Sequence, residues 1–146
     1  MANINITIKN LPQIKAAFNK APALMSRNLN TAIKKTVIHI SGKAAENAPV
    51  DTSRLRSSIL TGITYGNLKG TIFPNVNYAY YVHEGTGIYV GHKPYYANIP
   101  NVGWRYMKGM KPRRFLYDAV ESEQIYTDKF FTEAVDLTLN EIGRAT

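Results

Sequence analysis

Seven apolar residues, Met25, Leu29, Ile33, Val37, Ile40, Ala44 and Ala48, recur at spacings of three or four. A run of this kind is satisfied by an α-helix with one face turned to a core, and by little else. Lys34, Lys35 and Lys43 fall on its other faces. Pro22 suits the first turn of such a helix, where its missing N–H costs nothing. Pro49 ends it, because the residue before a proline disfavours the helical region. Gly42 weakens it by up to about 1 kcal/mol relative to alanine. Upstream, Leu11, Ile14 and Phe18 predict a separate short helix. Ile4, Ile6 and Ile8 alternate with polar residues across Asn3–Lys9, the period of a half-buried strand.

Beyond the helix the pattern changes to short extended runs. Ser57 to Tyr65 reads as a strand, Gly66-Asn67 as a turn, and Leu68 to Phe73 as a second strand before Pro74. Tyr78 to His83 reads as a third, and the three predict an antiparallel meander. From Gly85 to Arg114 five glycines and three prolines exclude long regular elements. Tyr89, Tyr95, Tyr96, Trp104 and Tyr106 are interleaved there with Lys93, Arg105, Lys108, Lys111, Arg113 and Arg114. A loop of this length in a compact domain is usually functional or mobile. After Pro112 a second helix is expected, with Leu116, Val120, Phe131, Val135, Leu139 and Ile142 on its apolar face and a break near Ser122. The expected fold class is α+β: an antiparallel sheet packed against a long helix in the N-terminal half and a helix at the C-terminus.

A chain of 146 residues is about one domain's worth. The expectation is one domain over residues 1–146 with a long loop at 85–114. No apolar run approaches the roughly 20 residues that span a bilayer. The first residues, MANINITIKN, lack the basic and apolar regions of a signal peptide. With no cysteine in the sequence, disulfides, thiolate metal sites and a cysteine nucleophile are excluded. The net charge of +8 is divided unevenly: residues 1–117 hold 16 basic and three acidic residues, and residues 118–146 hold two basic and seven acidic. A basic body of this kind suits phosphate contacts. It also suits pairing between the basic segment 93–114 and the acidic segment 118–141, within one chain or between copies.

Residues for chemistry are sparse. His39, His83 and His92 show no metal-ligand spacing, and His39 flanks the helical stripe. No metal or cofactor is expected. Ser53, Ser57 and Ser58 lack the sharp glycine-flanked turn that exposes a serine nucleophile. His83 and Glu84 are adjacent, and adjacent strand residues point to opposite faces, so they would diverge rather than form a dyad. No catalytic residue is assigned.

Three separated segments together resemble one family. APVDTSRLRSSI is similar to the first signature of the minor-tail or tail-completion proteins that sit at the head–tail junction of long-tailed phages, with Ser53 where that signature has glycine. YAYYVHEGT resembles the second, a tyrosine-rich strand ending in glutamate-glycine-threonine. KPRRFLYDAV resembles the third, the proline-phenylalanine-leucine start of the last helix, with Arg113 and Arg114 intervening. The resemblance covers roughly residue 21 to the C-terminus.

It implies a structural motif built from Pro49, Asp51, Thr52, Leu55, Glu84, Gly85, Thr86, Pro112, Phe115 and Leu116. In that motif Glu84-Gly85-Thr86 is a bend at a strand end. It implies a structural virion protein, not an enzyme, assembled in the host cytoplasm and located at the head–tail junction. The expected partners are further copies in a ring, hexameric by preference and dodecameric otherwise, other neck and tail proteins, and the DNA passing through, with no membrane. Tyr89, Tyr95, Tyr96, Trp104, Arg105, Tyr106, Lys108, Lys111, Arg113 and Arg114 are the expected subunit or partner interface. The competing reading is a small basic protein that binds nucleic acid or cleaves RNA.

Overall fold

A computed structural model describes residues 11–50 and 53–144. The expected strand over Asn3–Lys9 lies outside the described residues, as do Asp51 and Thr52. Along the chain the elements are α1 (Leu11–Asn47), α2 (Arg54–Ser57), β1 (Ile59–Thr64), β2 (Lys69–Pro74), α3 (Ala79–Glu84), β3 (Tyr95–Ile99), β4 (Gly103–Met107), α4 (Phe115–Ser122) and α5 (Gln124–Arg144). Short 3-10 turns at Tyr65–Asn67 and Gly87–Val90 punctuate them. The fold is α+β, combining two two-stranded sheets, β1–β2 and β3–β4, with a long N-terminal and a C-terminal helix. Among the described residues no helix is long and apolar enough to cross a membrane.

Helix α1 is one helix of 37 residues with Pro22 inside it, not a short helix followed by a longer one. An interior proline removes one hydrogen bond and crowds the preceding turn. The helix continues because its inner face is uninterrupted: Ala17, Ala21, Leu24, Asn28 and Ala32 follow at spacings of three or four, all buried or half-buried. Further on, Ile33, Val37, Ile40, Ala44 and Ala48 are buried as expected, whereas Met25 and Leu29 are only half-buried.

The molecule divides into two compact units. Of the described residues, the first contains 11–36, 63–69 and 126–144. In its described part, Arg27 Nη2 donates to both carboxylate oxygens of Glu141 at 2.6 and 2.7 Å, Asn28 Nδ2 donates to Thr138 Oγ1 at 3.0 Å, and Lys35 lies 3.6 Å from Glu133. Partner numbers fall on α5 as they rise on α1, so the helices run antiparallel. The buried residues of α5 are Ala134 and Thr138, while Val135 and Leu139 of the expected apolar face are exposed. At those two positions the face is displaced by one residue, while Phe131 and Ile142 of the expected face are half-buried. The buried positions, Asn28 and Ala32 on α1 and Ala134 and Thr138 on α5, carry small or polar side chains. The larger Val135 and Leu139 are left exposed beside them.

The Asn28–Thr138 hydrogen bond is buried. Thr138 also donates to the Ala134 carbonyl at 2.8 Å. Thr138→Val keeps the shape and removes the acceptor. It should destabilise the protein by about 1–3 kcal/mol in denaturant melts, because the Asn28 amide would remain buried without that partner.

Of the described residues, the second unit contains 37–50, 53–62 and 70–125. Its core joins Ile40, Ala44 and Ala48 of the α1 segment and its C-terminal end, Leu55 of α2, Ala79 and Val82 of α3, and Phe115 and Ala119 of α4, with Ile59, Ile72, Val76 and Leu116 packed against them. Ser53, in front of α2, takes the left-handed conformation at φ 55° without a glycine. The segment expected to be a third strand is helix α3. Ala79, Val82 and His83 are buried while Tyr80 and Tyr81 are exposed, which is helical spacing. Burial of that face outweighs the strand preference of two tyrosines and a valine. As expected, the C-terminal helix breaks after Ser122: α4 ends there and α5 starts at Gln124.

Candidate assembly interface

Residues 85–114 are not a structureless loop. Within them β3 and β4 pair antiparallel, with Tyr95 opposite Met107, Tyr96 opposite Tyr106, Ala97 opposite Arg105, Asn98 opposite Trp104 and Ile99 opposite Gly103. The turn is set by Pro100-Asn101. Val102 N–H bonds the Ile99 carbonyl at 3.0 Å and Asn101 sits at φ 64°, the arrangement of a type II turn with proline leading. Two aromatic-rich runs flanking Pro-Asn were a readable hairpin signal. The density of glycine and proline over the whole segment obscured it.

This hairpin forms the end of an arm whose base is pinned. Thr86 N–H bonds the Met110 carbonyl, Met110 N–H bonds Thr86 Oγ1, and Ile88 N–H bonds the Lys108 carbonyl, each at 2.9 Å. Arg113 N–H bonds the Val82 carbonyl near the end of α3, also at 2.9 Å. Such contact leaves no room for side chains. A Cβ on Gly85 would stand 2.8 Å from the Met110 oxygen and the Pro112 nitrogen, and one on Gly109 would run into the Thr86 carbonyl. Glu84-Gly85-Thr86 therefore ends a helix, not a strand, and starts the arm. Gly109 and Met110, which complete the base, carried no assignment from the sequence.

Opposite residues in a ladder share a face. One face of the hairpin thus carries Tyr96, Asn98, Trp104 and Tyr106. The Tyr96 and Tyr106 rings lie 5.1 Å apart, and Lys108 Nζ stands 6.0 Å from the Tyr106 ring. Trp104 is 71% exposed and Tyr96 68%. Tyr89 and Tyr95 are exposed as well. An isolated two-stranded hairpin is marginal in water, and large exposed rings in a cluster mark a contact surface.

The arm is also electrostatically one-sided. Residues 85–114 hold six lysines and arginines and no acid. Arg105, Lys108, Lys111, Arg113 and Arg114 are all exposed, and among the described residues none of the six makes an ion pair. Three acids of the C-terminal segment are engaged elsewhere: Glu133 and Glu141 on α1 as described, and Glu123 on His39, whose Nδ1 lies 2.8 Å from its carboxylate. Asp118 and Glu121 remain exposed on α4. Beside the His39–Glu123 pair, Lys43 Nζ donates to the Glu46 carboxylate at 3.1 Å, which holds that ammonium above its usual range, with a smaller contribution from Glu123.

His83 is buried, contrary to its expected place on a partly exposed strand. It does not diverge from Glu84: the Nδ1 nitrogen lies 3.0 Å from the Glu84 carboxylate, because a helix end brings the two together. A carboxylate only accepts, so the ring proton belongs on Nδ1. Nε2 is buried and has no hydrogen-bond partner among the described residues. The ring meets Phe115 edge-on at 5.3 Å and Tyr117 at 4.9 Å. Of the other expected motif residues, Leu55 and Phe115 are buried in the core, Leu116 packs against it, Pro49 and Thr86 are half-buried, and Pro112 is exposed at the arm's base.

A model of the family described as "Bacteriophage HK97-gp10, putative tail-component" matches residues 13–85, half of the chain, from α1 to the glycine that opens the arm. Comparison with curated proteins gives no match. Comparison with solved structures gives none either.

Proposed function

Because the chain belongs to the HK97-gp10-like family of bacteriophage tail components, we propose that it is a ring-forming subunit of the head–tail junction. As a member of that family it is a structural component of the virion. In the proposed role, copies close a ring around the DNA passage and join head to tail. The observation that carries this reading is the arm: a pinned base, exposed aromatic rings and six cations that make no ion pair among the described residues. Aromatic and arginine side chains are the types that anchor protein interfaces. Asp118 and Glu121 supply the opposite charge on a different element of the same unit. Two unlike surfaces on one subunit fit head to tail, and such contacts close by rotation.

Exposed ion pairs contribute only about 0–1 kcal/mol each, so charge sets register and rate while apolar burial supplies the affinity. Sedimentation tests this. Asp118→Lys with Glu121→Lys should weaken self-association roughly tenfold at low salt. Adding Lys108→Glu and Arg113→Glu in the same chain should partly restore it. Assembly of the unaltered chain should slow as salt rises to about 0.5 M, where screening acts within a few ångströms. Normal assembly by the reversed variant with no salt dependence would remove these charges from the interface. Tight DNA binding by a chain that stays monomeric would favour the nucleic-acid reading, since aromatic rings among cations also stack on bases.

A further inference from the structure

A cleft of about 420 Å³ opens between α3 and the start of α4. Tyr80, His83, Phe115, Leu116 and Tyr117 form much of its wall, and Glu84 also lines it. Among the described residues no lysine or arginine lines the cleft. Glu84 is the acid on its wall, whereas Asp118 lines a separate hollow with Arg113 and Arg114. An apolar cavity of roughly 150 Å³ already holds benzene, so this one has room for an indole.

The arm and the cleft belong to the same compact unit, yet the arm does not fill the cleft: Trp104 is 71% exposed. Backbone bonds from Thr86 and Ile88 to Met110 and Lys108 hold the arm's base in place. We propose that the cleft receives the aromatic face of the arm of a second copy of this chain, with the Trp104 indole as the ring that enters. This rests on the self-assembly proposed above and names its contact. Charge selects the occupant. A two-fold contact of arm on arm would set six cations against six, whereas arm on cleft sets them against a wall that holds Glu84 and, among the described residues, no lysine or arginine. The contact joins unlike surfaces, so each copy keeps a free arm and a free cleft for its neighbours.

Trp104 is the only tryptophan and the chain has no cysteine, so both fluorescence and cross-linking report on this contact alone. The full-length chain is followed by sedimentation and tryptophan emission over the same concentration series. Association should shift the emission to the blue and protect it from acrylamide, and Trp104→Ala should weaken association about thirtyfold or more, the effect of losing a central anchor. A Val102→Cys copy mixed with an Asn77→Cys copy should be joined by a short flexible bismaleimide, because the arm tip then lies at the rim of the neighbour's cleft. Association without the emission shift, or with joining of Val102→Cys copies only to each other, overturns the arm-in-cleft contact and leaves self-assembly standing. A chain that stays monomeric throughout overturns both.

Discussion

Phe115→Ala should destabilise the protein by about 3–5 kcal/mol, the range for removing a buried phenylalanine from a core that cannot collapse. Phe115 is 1% exposed and is among the largest fully buried side chains of the described residues. It occupies the meeting point of α1, α2, α3 and α4, in the cluster with Ile40, Ala44, Leu55, Val82 and Ala119. Ala44, Ala48, Ala79 and Ala119 of that cluster have no side-chain length with which to move into the space. The edge-on contact with His83 would also be lost, leaving a buried imidazole beside a void. Typical domains have about 5–15 kcal/mol of stability, so the variant should melt far below the unaltered chain. Denaturant melts with an unchanged slope measure the loss. A loss below about 1 kcal/mol would mean that α4 closes over the gap.

Gly85→Ala should be nearly as damaging, and locally. Gly85 sits at φ 83° and ψ −179°, a region that is essentially reserved for glycine and strains other residues by about 1–3 kcal/mol. The added Cβ would also stand 2.8 Å from backbone atoms of Met110 and Pro112, so the two strands of the arm's base would have to part. The total should reach about 3 kcal/mol or more, from strain and the lost hydrogen bonds together. Amide exchange provides the readout: Thr86, Ile88 and Arg113 should lose protection while the amides of α5 keep theirs. Gly91→Ala is the control, because a Cβ there meets open space and only the backbone strain remains. If Gly85→Ala behaves like Gly91→Ala, the base of the arm is more compliant than its hydrogen bonds indicate.

Much of the architecture was legible in the residues. The stripe from Ile33 to Ala48 fixed the inward face of α1 over that stretch, because periodicity and burial are the same information when the face is large and aliphatic. Order of the motifs and the family membership followed from local residue patterns, as did the break in the C-terminal helix. Other features depended on neighbours distant in sequence. YAYYVHE has the composition of a strand, and only the core formed by α1, α2 and α4 made its 79, 82 and 83 positions the buried ones. The buried seam of α1 on α5 is made of alanine, asparagine and threonine, residues too small or too polar to mark an apolar face, so the larger Val135 and Leu139 misdirected the expected face by one position.

The site divides in the same way. Sequence by itself determined that residues 85–114 are aromatic, cationic and free of acids, since composition needs no partner to be read. The pinned base and the burial of His83 against Phe115 were decided by tertiary structure alone. Those features rest on contacts across tens of residues of chain, where one backbone's approach to another, rather than any local preference, selects which glycine must stay bare and which ring faces outward.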